Sequence, residues 1–402
     1  MSAHLRSDHL VKAYNSLAIS FTHGDGIYLW DTEGKRYLDA LCGISVTSLG
    51  HNYPAVTQAI QHQASALLHT SNIYSIEWQQ KLADLICQLC AMDRVFFGNS
   101  GAEANEAAIK IARLYGHNQG NRDPNIVVMD HSFHGRTMAT LSATGNRKVQ
   151  AGFEPLVSGF VRAPYNDIES IRSIAENNKN VVAILIEPVQ GEGGIIIPDQ
   201  GYLTALRQIC DDNNWLLMFD EIQTGIGRSG KMFAFQHEDI KPDVMTLAKA
   251  LGNGMPIGAC VTRGKAAEVI QPGNHGSTFG GNPLACRVGC AVLNSIVENN
   301  LAANAAQTGE QLITRLKQGL ADNNNVREIR HLGLLIGIEM KHNCRAFVLH
   351  ALQQGLLVNV TAEKVIRLLP PLILNSHQTE DMAQQLIDCI NSFEPATEGN
   401  AS

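Results

Sequence analysis

The chain has 402 residues, 45% of them hydrophobic and only 17% charged, with a formal net charge of −7. That length allows a large domain plus a smaller one, and so little charge predicts extensive burial, part of it between subunits. The balance excludes a global basic footprint for nucleic acid, and no run of residues approaches a membrane span.

The opening MSAHLRSDHLVKAYN lacks the apolar core of a signal peptide. Nine cysteines, an odd number scattered from Cys42 to Cys389, predict reduced thiols in a cytoplasm. Residues 18–30 read as one strand running into the turn 31–34, with 36–41 as its hairpin partner. Gly43-Ile44-Ser45-Val46 and Leu49-Gly50 read as a loop, followed by helices over 54–68 and 75–91. Within the second helix Cys87 and Cys90 have redox or zinc spacing, but the apolar period around them predicts buried helix thiols. From Val95 onward short apolar runs alternate with helical patterns, the runs being 95–97, 126–129, 160–163, 182–186, 215–219 and 244–247. This alternation predicts βαβ units and a mostly parallel sheet. Two long helices follow Pro283, over 284–299 and 302–321, and then strands near 326–331, 334–340 and 365–369. There is no internal repeat, and only the tail 395–402 reads as disordered.

Two of the predicted strands end in reactive side chains. The run 215–219 leads into Asp220-Glu221, and the run 244–248 leads into Lys249. In an open α/β sheet, groups at the carboxyl ends of strands converge on the ligand crevice. An acid and a lysine delivered there suit pyridoxal phosphate, which needs a lysine for its Schiff base and an acid at its ring nitrogen. A surface salt bridge accounts for that pair equally well on this stretch alone. Asn99-Ser100-Gly101-Ala102 opens an alanine-rich helix, either as a phosphate cradle or as an ordinary N-cap. Phe133-His134-Gly135-Arg136 can stack on a flat ring and fork onto a carboxylate, or be a solvated loop. His131 and His134 lack the accompanying ligands of a zinc site, so no metal is expected. Glu187 and Glu192 read as an acid/base pair, as a counter-charge for a buried arginine, or as solvated turn residues. Gly225-Ile-Gly227-Arg-Ser-Gly230 imitates a dinucleotide fingerprint. Residues 220–224 separate it from its strand and no long helix follows, so a nicotinamide oxidoreductase rests on this imitation alone.

Taken together, SGAEANEA, FHGRT, IEPVQGEGG, FDEIQTGIGRSG, TLAKALGNGMPIGA and GSTFGGNPLAC occur in this order at strand-end loops. That set resembles the class III, or ω-amino-acid, aminotransferases of the type I pyridoxal-phosphate fold, from about Tyr14 to about Pro371. Within the family, YNSLAISFTHGDGIYLWDTEGKRYLDALCGISVTSLGH is most similar to the acetylornithine branch. The succinylornithine branch comes next, then the 4-aminobutyrate and ornithine branches. The resemblance implies an α/β fold with a large domain over 54–290. Its smaller domain would be drawn from both chain ends, 1–53 and 291–402. It implies a homodimer with shared active sites that takes a small-molecule amino donor and 2-oxoglutarate, and neither nucleic acid nor membrane.

The same resemblance implies roles for individual residues. Lys249 would be the Schiff-base lysine and proton shuttle, Asp220 would hold the ring nitrogen protonated, Gln223 would meet the ring oxygen, and Phe133 would stack on the ring. Ser100, Gly101 and Ala102 would cup the phosphate, with Thr278 reaching the phosphate of the neighbouring subunit. Many relatives carry threonine where Ala102 stands, so one phosphate hydroxyl would be missing. Arg136 would take the distal carboxylate of both substrates. Arg367 would take the second carboxylate of 2-oxoglutarate, masked by Glu192 when the amine donor binds. Tyr14, Ile44 and Ser277 would complete the substrate set. An apolar Ile44, where ornithine enzymes carry a tyrosine, would leave room for an acyl group.

Overall fold

Three short strands open the chain in this computed structural model, which describes residues 9–394: Phe21–Asp25 (β1), Tyr28–Asp31 (β2) and Arg36–Asp39 (β3). The single strand expected over 18–30 is broken at Gly26, where φ is 54° and the chain turns. Gly26 exchanges backbone hydrogen bonds with His51 instead, at 3.0 and 2.8 Å. The tail 395–402, read as disordered, lies outside the described residues.

Seven strands build the central sheet: Arg94–Gly98 (β4), Asn125–Met129 (β5), Phe160–Ala163 (β6), Val181–Ile186 (β7), Leu216–Asp220 (β8), Val244–Leu247 (β9) and Gly258–Thr262 (β10). Their order across the sheet is β4-β10-β9-β8-β7-β5-β6. Only β10 runs antiparallel to its neighbours. The sequence reading missed it, because GACVT follows a glycine- and proline-rich stretch and reads as more loop. The other six follow from their apolar runs, which are continuous because both faces of a parallel sheet are covered. Along β5, Val127 and Met129 join one buried cluster, while Ile126 and Val128 join a second on the opposite face. In β8, Leu217 and Phe219 face the first and Leu216 and Met218 the second. Ala107, Ala108, Ile111 and Ala112 of the helix Gly101–Asn118 pack into that second cluster. Small alanines let the helix lie close to the strands and bring its N-terminus to their carboxyl ends.

Beyond Pro283 the helices Pro283–Glu298 and Leu301–Gly319 match their expected positions within about two residues. The strands Val326–Leu332 (β11), Leu335–Met340 (β12), Leu356–Leu357 (β13), Asn359–Thr361 (β14) and Val365–Leu368 (β15) follow. A second sheet has the order β11-β12-β15-β14, whereas β13 leaves it to pair in parallel with β3. Cys87 and Cys90 lie on the helix Glu77–Cys90, half-buried and buried, as unpaired thiols. Among the described residues no helix is long and apolar enough to cross a membrane.

Candidate active site

Loops leaving the carboxyl ends of β4, β5, β7, β8 and β9 converge on a cavity of about 480 Å³. Asp220, the last residue of β8, and Lys249, just past β9, line it from adjacent strands. Ser100, Gly101, Ala102, Phe133, Arg136, Glu192 and Gln223 line it as well.

Asp220 is held from behind. His134 Nδ1 lies 2.8 Å from its Oδ2, Asn105 Nδ2 donates to the same oxygen at 2.8 Å, and the backbone N–H of Ile222 donates to Oδ1 at 3.2 Å. Asn105 is itself fixed by Thr246, whose hydroxyl donates to its Oδ1 at 2.8 Å. An ionised carboxylate accepts about four hydrogen bonds. Three are committed here, which leaves capacity for a donor from the cavity. Sequence reading had no signal for Asn105 and Thr246, since one sits inside a helix and the other inside a strand. The sequence places His134 in a loop suited to a flat ring or, less well, to a metal, and gives no sign that it buttresses Asp220.

At the other end of the cavity, Ser100 N-caps the helix Gly101–Asn118, its hydroxyl accepting from Glu103 N at 3.2 Å. The first-turn N–H groups of a helix have no intrahelical acceptor and attract anions. A side chain at Gly101 would sit 2.7 Å from Ile222 Cδ1, and one at Gly258 would strike the carbonyl of Ser100. Both glycines are therefore needed to bring this helix end against β10 and the β8 loop. Lys249 is a left-handed residue with φ of 47°, a strained conformation of the kind found at functional sites. Its amine has a pKa below the usual lysine range, first through burial and then through the Arg367 cation.

Of the two loop carboxylates, only one serves as a counter-charge. Glu192 Oε1 lies 2.6 Å from Arg367 Nη1 on β15. Arg367 is fully buried, its Nε donates to Asn359 at 3.1 Å, and its Nη2 has no hydrogen-bond partner among the described residues. The Glu192 side chain keeps 39% of its exposure, so it is free to leave the pair. Glu187 instead accepts from the backbone N–H groups of Phe133 at 3.0 Å and Gly191 at 3.2 Å, tying two cavity loops together. Burial pushes its pKa up to about 7 from 4.5, against the lowering effect of His134. A raised carboxyl stabilises the fold fully below its unfolded value, and that contribution is lost as pH rises through about 7. The loss is roughly 3 kcal/mol across that interval. Glu187→Gln should therefore flatten the fall in stability between about pH 5 and pH 8, measured by urea unfolding. The Glu221 carboxyl, also raised to about 7 by burial, keeps its share of the slope. An unchanged slope in the variant counts against this assignment.

The loop before the first long helix holds an unusual turn. Cys42, Gly43, Ile44 and Ser45 are all left-handed, with φ of 53°, 59°, 67° and 63°. The three that are not glycine are strained by about 1–2 kcal/mol each. Val46, directly after this turn, lines the cavity. Ile44 does not, and packs with Val189, Ile195, Leu335 and Leu369. The structure thus brings Val46, two residues further on, to the cavity lining in place of Ile44. Ser277 and Thr278 also stand outside the cavity lining. Ser277 Oγ accepts from Asn99 Nδ2 at 3.2 Å, while Thr278 is exposed. Tyr14 is 87% exposed.

The family description Aminotransferase class-III matches residues 10–390. The chain belongs to the class III aminotransferases. This aminotransferase is 53% identical to the acetylornithine aminotransferase of Nitrosomonas europaea over 385 residues, covering 96% of this chain and 98% of that one. Among solved structures, the ornithine aminotransferase of Toxoplasma gondii, described with pyridoxal phosphate at its active site, superposes with a TM-score of 0.91 at 32% identity. That match covers 95% of this chain and 92% of the other. The acetylornithine aminotransferase of Elizabethkingia anophelis gives a TM-score of 0.86 at 33% identity, with 96% and 97% covered. The fold is thus that of the type I pyridoxal-phosphate enzymes, and the cofactor of the family is pyridoxal phosphate. The cavity suits it: an anion-binding helix end, an acid with spare acceptor capacity and a lysine of lowered pKa all meet there.

Proposed function

We propose that this aminotransferase moves the terminal amino group of N2-acetyl-L-ornithine to 2-oxoglutarate, giving N-acetyl-L-glutamate 5-semialdehyde and L-glutamate, a step of arginine biosynthesis. The observation that carries it is the buried Arg367 paired with a half-exposed Glu192, which lines the cavity together with Lys249. Two substrates with different charge near the reacting carbon must share one site. A cation that can be masked or bared accommodates both. The name of the Nitrosomonas europaea relative and the apolar Val46 favour an acylated donor.

When bound, pyridoxal phosphate supplies the carbonyl that takes up the amino group and a ring that disperses negative charge. The chain does the rest. Ser100, Gly101 and Ala102 would hold the phosphate at the helix end, and Phe133 would cover the ring. Asp220, oriented by His134 and Asn105, would hold a proton at the ring nitrogen, and Gln223 would meet the ring oxygen. Lys249 Nζ would hold the cofactor and would move a proton to and from the substrate carbon. Arg136, 5.8 Å from the Phe133 ring centroid and exposed, binds the distal carboxylate of either substrate in a bidentate fork. With 2-oxoglutarate as acceptor, a panel of acetylornithine, succinylornithine, ornithine and 4-aminobutyrate tests the reading. Acetylornithine should give the highest kcat/KM, and preference for an unacylated donor overturns it.

The working unit in this reading is a homodimer. Leu67, Leu68, Ile73, Tyr74 and Phe279 are exposed, and Asn72 Nδ2 ties their segment to the carbonyls of Ser277 and Gly280, both at 3.0 Å. An apolar surface around Thr278 suits a partner whose phosphate that residue completes. Mixing Lys249→Ala and Thr278→Ala chains should create hybrid dimers with one intact site. Activity that never exceeds either parent despite proven exchange would rule the shared site out. A large domain over 54–290 and a small one from 1–53 and 291–402 belong to the same reading. It is supported by Leu38 of β3 pairing with Leu356 of β13, which joins both chain ends in one sheet. The unpaired thiols support a cytoplasmic location.

A further inference from the structure

One buried cation takes no part in the chemistry above. Arg228 lies in the glycine-rich loop after β8 and is fully buried. Its hydrogen bonds reach only neutral oxygens: Nε donates to Ser45 Oγ at 3.1 Å, Nη2 to Ser48 Oγ at 2.9 Å, and Nη1 to the carbonyls of Leu334 (3.1 Å) and Pro370. Burial pushes its pKa down to about 10, still high enough to keep the charge at neutral pH. No carboxylate hydrogen-bonds this cation, although the Asp39 charge and the Cys42 thiol lend it support; burying it is still costly, so the position of those donors must matter. They reach three separate stretches of chain, and two of the acceptors, Ser45 and Ser48, bracket Val46.

The left-handed turn at 42–45 leads directly into that bracketed stretch. It closes with Val46 N–H donating to the carbonyl of Cys42 at 2.7 Å. Asp39 Oδ1 accepts from Leu41 and Cys42 N–H before it, at 3.0 and 2.8 Å. Asn253 Oδ1 accepts from Leu49 N–H after it, at 2.8 Å. Between those anchors only the Arg228 guanidinium supplies side-chain donors to the two serines among the described residues. Val46 lines the cavity along with three other apolar residues, Met255, Pro256 and Ile257. A strained turn released from its hold relaxes toward right-handed dihedrals and carries the next side chain with it.

We propose that Arg228 is a positioning residue for donor specificity: through Ser45 and Ser48 it holds the turn at 42–45 so that Val46 forms the wall against the acyl group of the amino donor. The inference rests on the acylated-donor reading above. 2-Oxoglutarate carries no acyl group and does not need that wall, so the two half-reactions separate the role from a general structural one.

The test uses the cofactor-loaded dimer and the variants Ser45→Ala, Ser48→Ala and Arg228→Lys. The serine variants each remove one acceptor and leave the buried arginine in place, in case Arg228→Lys does not fold. Hydrogen exchange of peptides spanning 41–49 should accelerate about tenfold while the rest of the chain is unchanged. In single-turnover assays kcat/KM for acetylornithine should fall about tenfold, mostly through KM, and the 2-oxoglutarate half-reaction should stay within about twofold. Unchanged exchange at 41–49 in all the variants, or equal losses in both half-reactions, overturns the proposal. A wild-type enzyme that ignores acetylornithine overturns the functional reading and the specificity role with it. The exchange measurement still decides, independently of substrate, whether Arg228 holds the turn.

Discussion

Lys249→Ala is expected to abolish covalent capture of the cofactor. The visible absorbance of the lysine-bound cofactor and the borohydride-reducible adduct should both disappear. Transamination should fall by at least the roughly 10²–10⁴-fold that a positioned acid–base group contributes. The physical basis is position and charge together: Lys249 follows β9 into the cavity, next to the strand that ends in Asp220. Only the neutral amine is nucleophilic, and burial together with the Arg367 cation lowers its pKa from the ordinary 10.5. Uptake of cofactor by the cofactor-free chain should thus reach its plateau at lower pH than an exposed lysine requires. Removing the Arg367 cation should move that plateau upward. A full-strength reducible adduct in Lys249→Ala would falsify the assignment.

Arg367→Ala should separate the two half-reactions. Arg367 has no exposure, and Glu192 sits 2.6 Å from its guanidinium. Losing a buried bidentate carboxylate contact costs roughly 3–5 kcal/mol, or about two to four decades in kcat/KM for 2-oxoglutarate. The amine half-reaction should lose far less, because its donor finds Arg367 already masked. Glu192→Ala should act in the opposite sense, leaving the cation bare and favouring glutamate over the acylated amine as donor. Arg136→Ala should impair both halves, since both substrates bring a carboxylate to it. Rapid-mixing absorbance measurements resolve each half separately. Equal losses in the two halves for Arg367→Ala would make that arginine a structural residue.

Six strands of the central sheet were legible in the sequence as short apolar runs, most plainly the inner ones, because a strand covered on both faces must be apolar throughout. The reactive side chains were legible for a related reason. Asp220 and Lys249 break apolar runs abruptly, and an abrupt polar residue at a strand end points to a crevice. The motif order around them carried the family, and the family match over 10–390 agrees with it.

What the sequence could not specify depends on partners far apart in the chain. β10 became a strand only because β4 and β9 lie on either side of it. The support of Asp220 by Asn105 and Thr246 joins residues that look like ordinary helix and strand interior until the fold brings them together. The glycine motif around Arg228 imitates a nucleotide loop locally. In the tertiary structure it delivers a buried guanidinium to Ser45 and Ser48 instead. Local patterns record which backbone a segment prefers and which face is apolar, and those preferences act over a few residues. Left-handed dihedrals in Cys42, Ile44 and Ser45 oppose local preference. They persist because distant groups over-determine them, so only the tertiary structure decided that Val46, and not Ile44, meets the cavity.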